Sequence, residues 1–78
     1  MTKIPWNRVI LEEFISLAIL TPEEEKLIRT RAAGWSQVRQ SIELNVSLAT
    51  ITRMVRKLHK EYLSLVPHSE KLPKNLNF

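Results

Sequence analysis

The chain has 78 residues, with 12 Lys and Arg against 8 acidic residues for a formal net charge of +4, one Gly, four Pro and no Cys. At this length a single small core forms, and the lack of Cys removes disulfide frameworks, thiolate zinc sites, redox pairs and Cys nucleophiles together. All eight acidic residues are Glu, so Asp-based Mg²⁺ sites, the EF-hand ligand set and glycine-rich phosphate loops all lack their parts; the composition points to no cofactor and to no enzyme.

A first helix is expected to begin near Pro5, or at Asn7 as N-cap, and to run to about Ile19. Trp6, Ile10, Phe14 and Leu17 centre its apolar side, and Leu11, Ile15 and Ala18 broaden it to around half the circumference, wider than the roughly 100° stripe that one core requires. The surplus suggests a homodimer through helix one. The run Val9 to Leu20 is interrupted by Glu12 and Glu13 and falls well short of the about 20 residues of a bilayer crossing. It lacks the features of a signal peptide as well, so a cytoplasmic protein without a membrane partner is expected.

Thr21-Pro22-Glu23-Glu24-Glu25 is a helix start with Thr as N-cap, Pro in the first turn and three carboxylates at the positive end of the helix dipole. The second helix should run to Ala33, with Leu27 and Ile28 inward, Lys26, Arg29 and Arg31 toward solvent, and Gly34 as the left-handed residue that closes it. Ser36 caps a short third helix to about Leu44, with Val38, Ser41, Ile42 and Leu44 as inward candidates. Asn45 suits a left-handed turn position, and Val46 is placed to plug the core. Ser47 caps a fourth helix from Leu48 to roughly Val66, where Pro67 stops it, with Ile51, Val55, Leu58 and Tyr62 on one face. Residues 67–78 show no sustained period and read as an extended or mobile tail. The expected architecture is all-α: a four-helix domain over residues 1–66 that contains a helix-turn-helix at about 36–58, followed by that tail.

Charge is unevenly spread along this plan. Residues 1–25 sum to −3 and residues 26–78 to +7, and no acidic residue lies between Ser47 and Lys60. A basic half of this kind attracts a polyanion, nucleic acid before membrane. A short helix, a tight turn and a capped, cationic second helix are what the major groove requires: close crossing of two helices, first turns presented to base edges, and cations alongside for phosphates.

Leu20-Thr21-Pro22-Glu23-Glu24-Glu25 through Gly34, then Trp35-Ser36-Gln37 and Leu44-Asn45-Val46-Ser47-Leu48-Ala49-Thr50-Ile51, resemble without gaps the pattern of the LuxR-type four-helix DNA-binding domain, which is also similar to region four of sigma factors. The resemblance covers roughly residues 20–62. It departs at Gln40, Ser41 and Asn45, where the family usually has an apolar residue, Ala and Gly; Val38 and Ile42 are then expected to supply the apolar face of the third helix. The resemblance implies a transcriptional regulator that binds double-stranded DNA through Ser47, Leu48, Ala49, Thr50, Thr52, Arg53 and Arg56. Arg53 is the residue expected to bond a guanine, Thr50 and Thr52 to meet phosphate or a thymine methyl, and Lys57 and Lys60 to hold the phosphate backbone.

The remaining chemistry-bearing residues read more plainly. Trp6 and Trp35 fit packing rather than base stacking, His59 and His68 fit solvent-facing or capping positions and form no metal site, and Glu23 to Glu25 cannot converge because consecutive helical residues diverge. The alternative function is a protein-interaction adaptor that uses the same scaffold without DNA, docking a partner such as RNA polymerase through helix one or through Lys71 to Phe78.

Overall fold

Four polar side chains start the four helices of the computed structural model, which describes residues 2–78. Helices α1 (Arg8–Leu17), α2 (Pro22–Ala32), α3 (Gln37–Leu44) and α4 (Leu48–Leu65) are followed by one 3₁₀ turn, Val66–His68. Asn7, Thr21, Ser36 and Ser47 are the N-caps; each side-chain oxygen accepts the backbone N–H three residues on, at 2.9 to 3.2 Å. A cap of this kind contributes about 1 kcal/mol. At α2 the exchange is reciprocal, because the Glu24 carboxylate accepts the Thr21 N–H at 3.0 Å.

The helix ends follow equally local causes. Gly34 sits at φ +93°; its N–H donates to the Arg31 carbonyl and the Trp35 N–H to the Thr30 carbonyl, the paired bonds that close a helix through a left-handed residue. Asn45 takes φ 56° and ψ 45°, a region that Asn enters more readily than other side chains, and the Val46 N–H returns to the Ser41 carbonyl at 3.1 Å. The three residues Asn45, Val46 and Ser47 thus turn the chain from α3 into α4.

Ile10 and Phe14 of α1, Leu27 and Ile28 of α2, and Ile51, Leu58 and Tyr62 of α4 form the core with Leu72, Leu76 and Phe78 from the last segment. That last group corrects the expectation of an extended or mobile tail over residues 67–78. Phe78 lies against Trp6, Phe14 and Tyr62 with ring centroids 5.3 to 6.1 Å apart. Ile4 and Leu76 form a parallel bridge, Tyr62 donates its hydroxyl to the Pro73 carbonyl at 2.6 Å, and the Ser69 hydroxyl bonds the Glu13 carboxylate. The segment has no helical period because its apolar residues act as separate anchors across the ends of α1, α2 and α4. Arg31, expected toward solvent, instead donates from Nε to the Phe78 carbonyl at 2.8 Å.

The third helix is turned otherwise than its apolar residues suggest. Val38 and Ile42 are 56% and 70% exposed, while Gln40 is fully buried. The Gln40 amide donates to the Leu27 carbonyl at 3.0 Å and to Thr30 Oγ1 at 2.9 Å, so α2 supplies polar partners that select this side chain for the inward position. Val46, expected to plug the core, is on the surface. Helix α1 spends most of its apolar arc inward: Ile10 and Phe14 are buried and Leu11, Ile15 and Ala18 packed against them, leaving Val9 and Leu17 outside. Trp6 packs from just ahead of the helix, edge-on to Tyr62 at 6.3 Å.

Candidate nucleic-acid interface

Burying Ile51, Leu58 and Tyr62 fixes the rotation of α4. The same rotation leaves Ala49, Arg53, Arg56, Lys57 and Lys60 exposed, a stripe at i, i+4, i+7, i+8 and i+11 that is one helical face. Arg53, Arg56, Lys57 and Lys60 together line one shallow surface depression, and no carboxylate lines it. Four cations around one concavity concentrate positive potential where a polyanion can approach.

The nine residues singled out in the sequence divide into three groups. Leu48, Ala49, Arg53, Arg56 and Lys60 are exposed, and Arg53, Arg56 and Lys60 enter none of the ion pairs among the described residues. Ser47 and Thr50 are occupied with the start of the helix: their hydroxyls bond each other at 2.8 Å, and Ser47 accepts the Thr50 N–H. Arg53 reaches the Thr50 hydroxyl at only 3.5 Å, a bond too long to hold the guanidinium in place.

Thr52 and Lys57 are committed elsewhere. The Thr52 hydroxyl faces Gln37 Oε1 at 2.9 Å and the Leu48 carbonyl at 3.0 Å; it ties α4 to α3, so a phosphate would have to displace those bonds to reach the hydroxyl. Lys57 Nζ lies 3.0 Å from Glu24 Oε2, the ammonium side chain 70% exposed and the carboxylate side chain 9%. The Thr21 backbone N–H and the Lys57 ammonium hold the Glu24 carboxyl below its ordinary range, against the opposing effect of burial. Lys57 is therefore first the counterion of a buried carboxylate in the neighbouring helix.

Two contributors lay outside the sequence reading. Gln37 aligns the two helices through Thr52, and Arg39 presents a further exposed cation on α3, its guanidinium carbon 3.9 Å from the centre of the Trp35 ring. The four-residue spacing of Trp35 and Arg39 would have identified that stacked pair. His59 is exposed yet stacks one ring face on Phe78 at 4.8 Å. Arg29 bonds Glu12 of α1 and Glu25 of α2, which raises its pKa further. No group of three or more His or Glu that could hold a metal ion occurs among the described residues, and none of their helices is long and apolar enough to cross a membrane. Comparisons with protein families, with curated proteins and with solved structures returned no match to the chain.

Proposed function

We propose that the protein binds double-stranded DNA, with α4 as the helix that enters the major groove and α3 packed across it. The observation that carries this reading is the acid-free depression lined by Arg53, Arg56, Lys57 and Lys60 on the exposed side of a capped helix. The resemblance of residues 20–62 to the LuxR-type domain supports it, and with it a role in transcriptional regulation. Leu48 and Ala49 meet base edges or thymine methyls from the first turn, and Arg53 bonds a guanine. Arg56 and Lys60 hold phosphates, and neither carries sequence information.

Fluorescence anisotropy with labelled duplexes tests the proposal. Affinity is expected to fall linearly with salt on logarithmic axes, and Arg53→Ala to flatten sequence preference by about 1–3 kcal/mol at one base pair. Absence of binding to every duplex from a random pool at about 50 mM salt would refute the assignment.

A further inference from the structure

Helix α3 carries an outward face that nothing in the fold covers. Gln37, Gln40, Ser41 and Leu44 turn toward α2 and α4, being buried or half-buried. At about 100° per residue the opposite side then has two flanks. One is Val38 and Ile42, a turn apart and 56% and 70% exposed; the other is Arg39 and Glu43, also a turn apart and exposed. Neither charge belongs to an ion pair: those among the described residues join Arg29 to Glu12 and Glu25, and Lys57 to Glu24.

We propose that this face docks on the same face of a second copy of the chain, α3 against α3, antiparallel about a twofold axis. The order of the residues makes the face complementary to itself. A twofold axis perpendicular to the plane of the two helices keeps each flank on its own side, so apolar meets apolar and charged meets charged. With the axis midway between Val38 and Glu43, Val38 stands beside the second copy's Ile42 and Arg39 beside the second copy's Glu43. Each pair occurs twice, offset by one residue, about 1.5 Å along the helix. A parallel pair would set each apolar flank against a charged one. Stacking on Trp35 draws the Arg39 guanidinium toward the start of α3, the end where the second copy's Glu43 lies. The eight residues of α3 span only about 12 Å, so the contact is small and the dimer is weak and reversible.

The claim stands apart from DNA binding and is tested without nucleic acid. Sedimentation equilibrium and amide chemical shifts followed into the millimolar range are expected to show a monomer–dimer equilibrium with the shifts concentrated on the outer face of α3. Ile42→Lys, at an exposed position that leaves the fold intact by circular dichroism, should leave only monomer. Arg39→Glu and Glu43→Arg should each weaken the dimer about tenfold, since either makes both ion pairs repulsive. Mixed in equal amounts, those two variants should pair with each other as well as the unaltered chain pairs with itself, because both ion pairs return, one in the original sense and one reversed. A monomer at all concentrations, a dimer indifferent to the two reversals, or a mixture no better than its components would overturn the proposal.

Discussion

Gln40 shows how one residue can hold two helices together while looking wrong for the place it occupies. Its amide nitrogen is spent on α2, at the Leu27 carbonyl and the Thr30 hydroxyl, and its Oε1 has no partner among the described residues. Gln40→Ala removes a fully buried side chain and both bonds, and should lower stability by about 2–3 kcal/mol. Gln40→Met keeps the volume, gives up the two bonds and also removes the unpartnered oxygen, so its cost should stay within about 1 kcal/mol. Urea midpoints at constant slope decide between them; equal losses for both variants would mean that the hydrogen bonds, not the packing, dominate. The burial of Gln40 was not legible in the sequence for a definite reason. Val38 and Ile42 repeat with the same helical period as Gln37, Gln40, Ser41 and Leu44, and which set turns inward is decided by acceptors on α2 that are 10 and 13 residues away.

At the scale of the elements, the helix starts were readable, with Pro5 and Asn7 left as alternatives for the first, because each cap acts within three residues of itself: Asn7, Thr21, Ser36 and Ser47 are the caps. The exposed side of α4 was readable too, since a long amphipathic helix admits one rotation over a core. What was not readable is which of its polar side chains are already engaged, since Gln37 and Glu24 come from other helices. That difference has a measurable consequence. A phosphate must compete with Glu24 for Lys57, whereas Arg53, Arg56 and Lys60 enter no ion pair among the described residues. The logarithmic salt slope of DNA binding should therefore lie near −2, about −0.9 for each of the two phosphate-holding cations Arg56 and Lys60, rather than near −3. Lys60→Ala should make that slope shallower by nearly one, while Lys57→Ala should hardly change it. Lys57→Ala should instead reduce stability, by stranding a mostly buried carboxylate; because the Glu24 pKa is lowered on folding, the stability it contributes is present above the ordinary carboxylate range and lost as pH falls below it.

For the whole molecule the decisive feature is that the last segment completes the core. Four rings, Trp6, Phe14, Tyr62 and Phe78, meet across the ends of the helices, so Phe78→Ala should cost about 3–5 kcal/mol, a large share of the about 5–15 kcal/mol that stabilises a small domain; a melting temperature unchanged by that substitution would contradict the packing. Tyr62 stands at the centre of this cluster and is the only tyrosine of the chain, which makes its ionisation a direct readout of the assembly. The ring is fully buried and its hydroxyl donates to the Pro73 carbonyl, so a phenolate there would lose both water and its bond. Burial accordingly pushes the pKa from 10.0 up to about 12. The folded state holds this proton more tightly than the unfolded state, so the contribution is complete below about pH 10 and is lost as pH rises toward 12, amounting to about 2–3 kcal/mol. Near-ultraviolet phenolate absorbance of the folded protein should stay flat through the ordinary tyrosine range and rise only as the chain unfolds. In Tyr62→Phe the lost hydrogen bond costs about 1 kcal/mol at neutral pH, but nothing further is lost to this titration. Lysine titrations are common to both proteins and cancel in the difference between their stability curves. The variant is therefore the less stable protein at neutral pH and the more stable one near pH 12; curves that remain parallel, or a phenolate midpoint near 10 in the folded chain, would show that the last segment does not seal this ring from water.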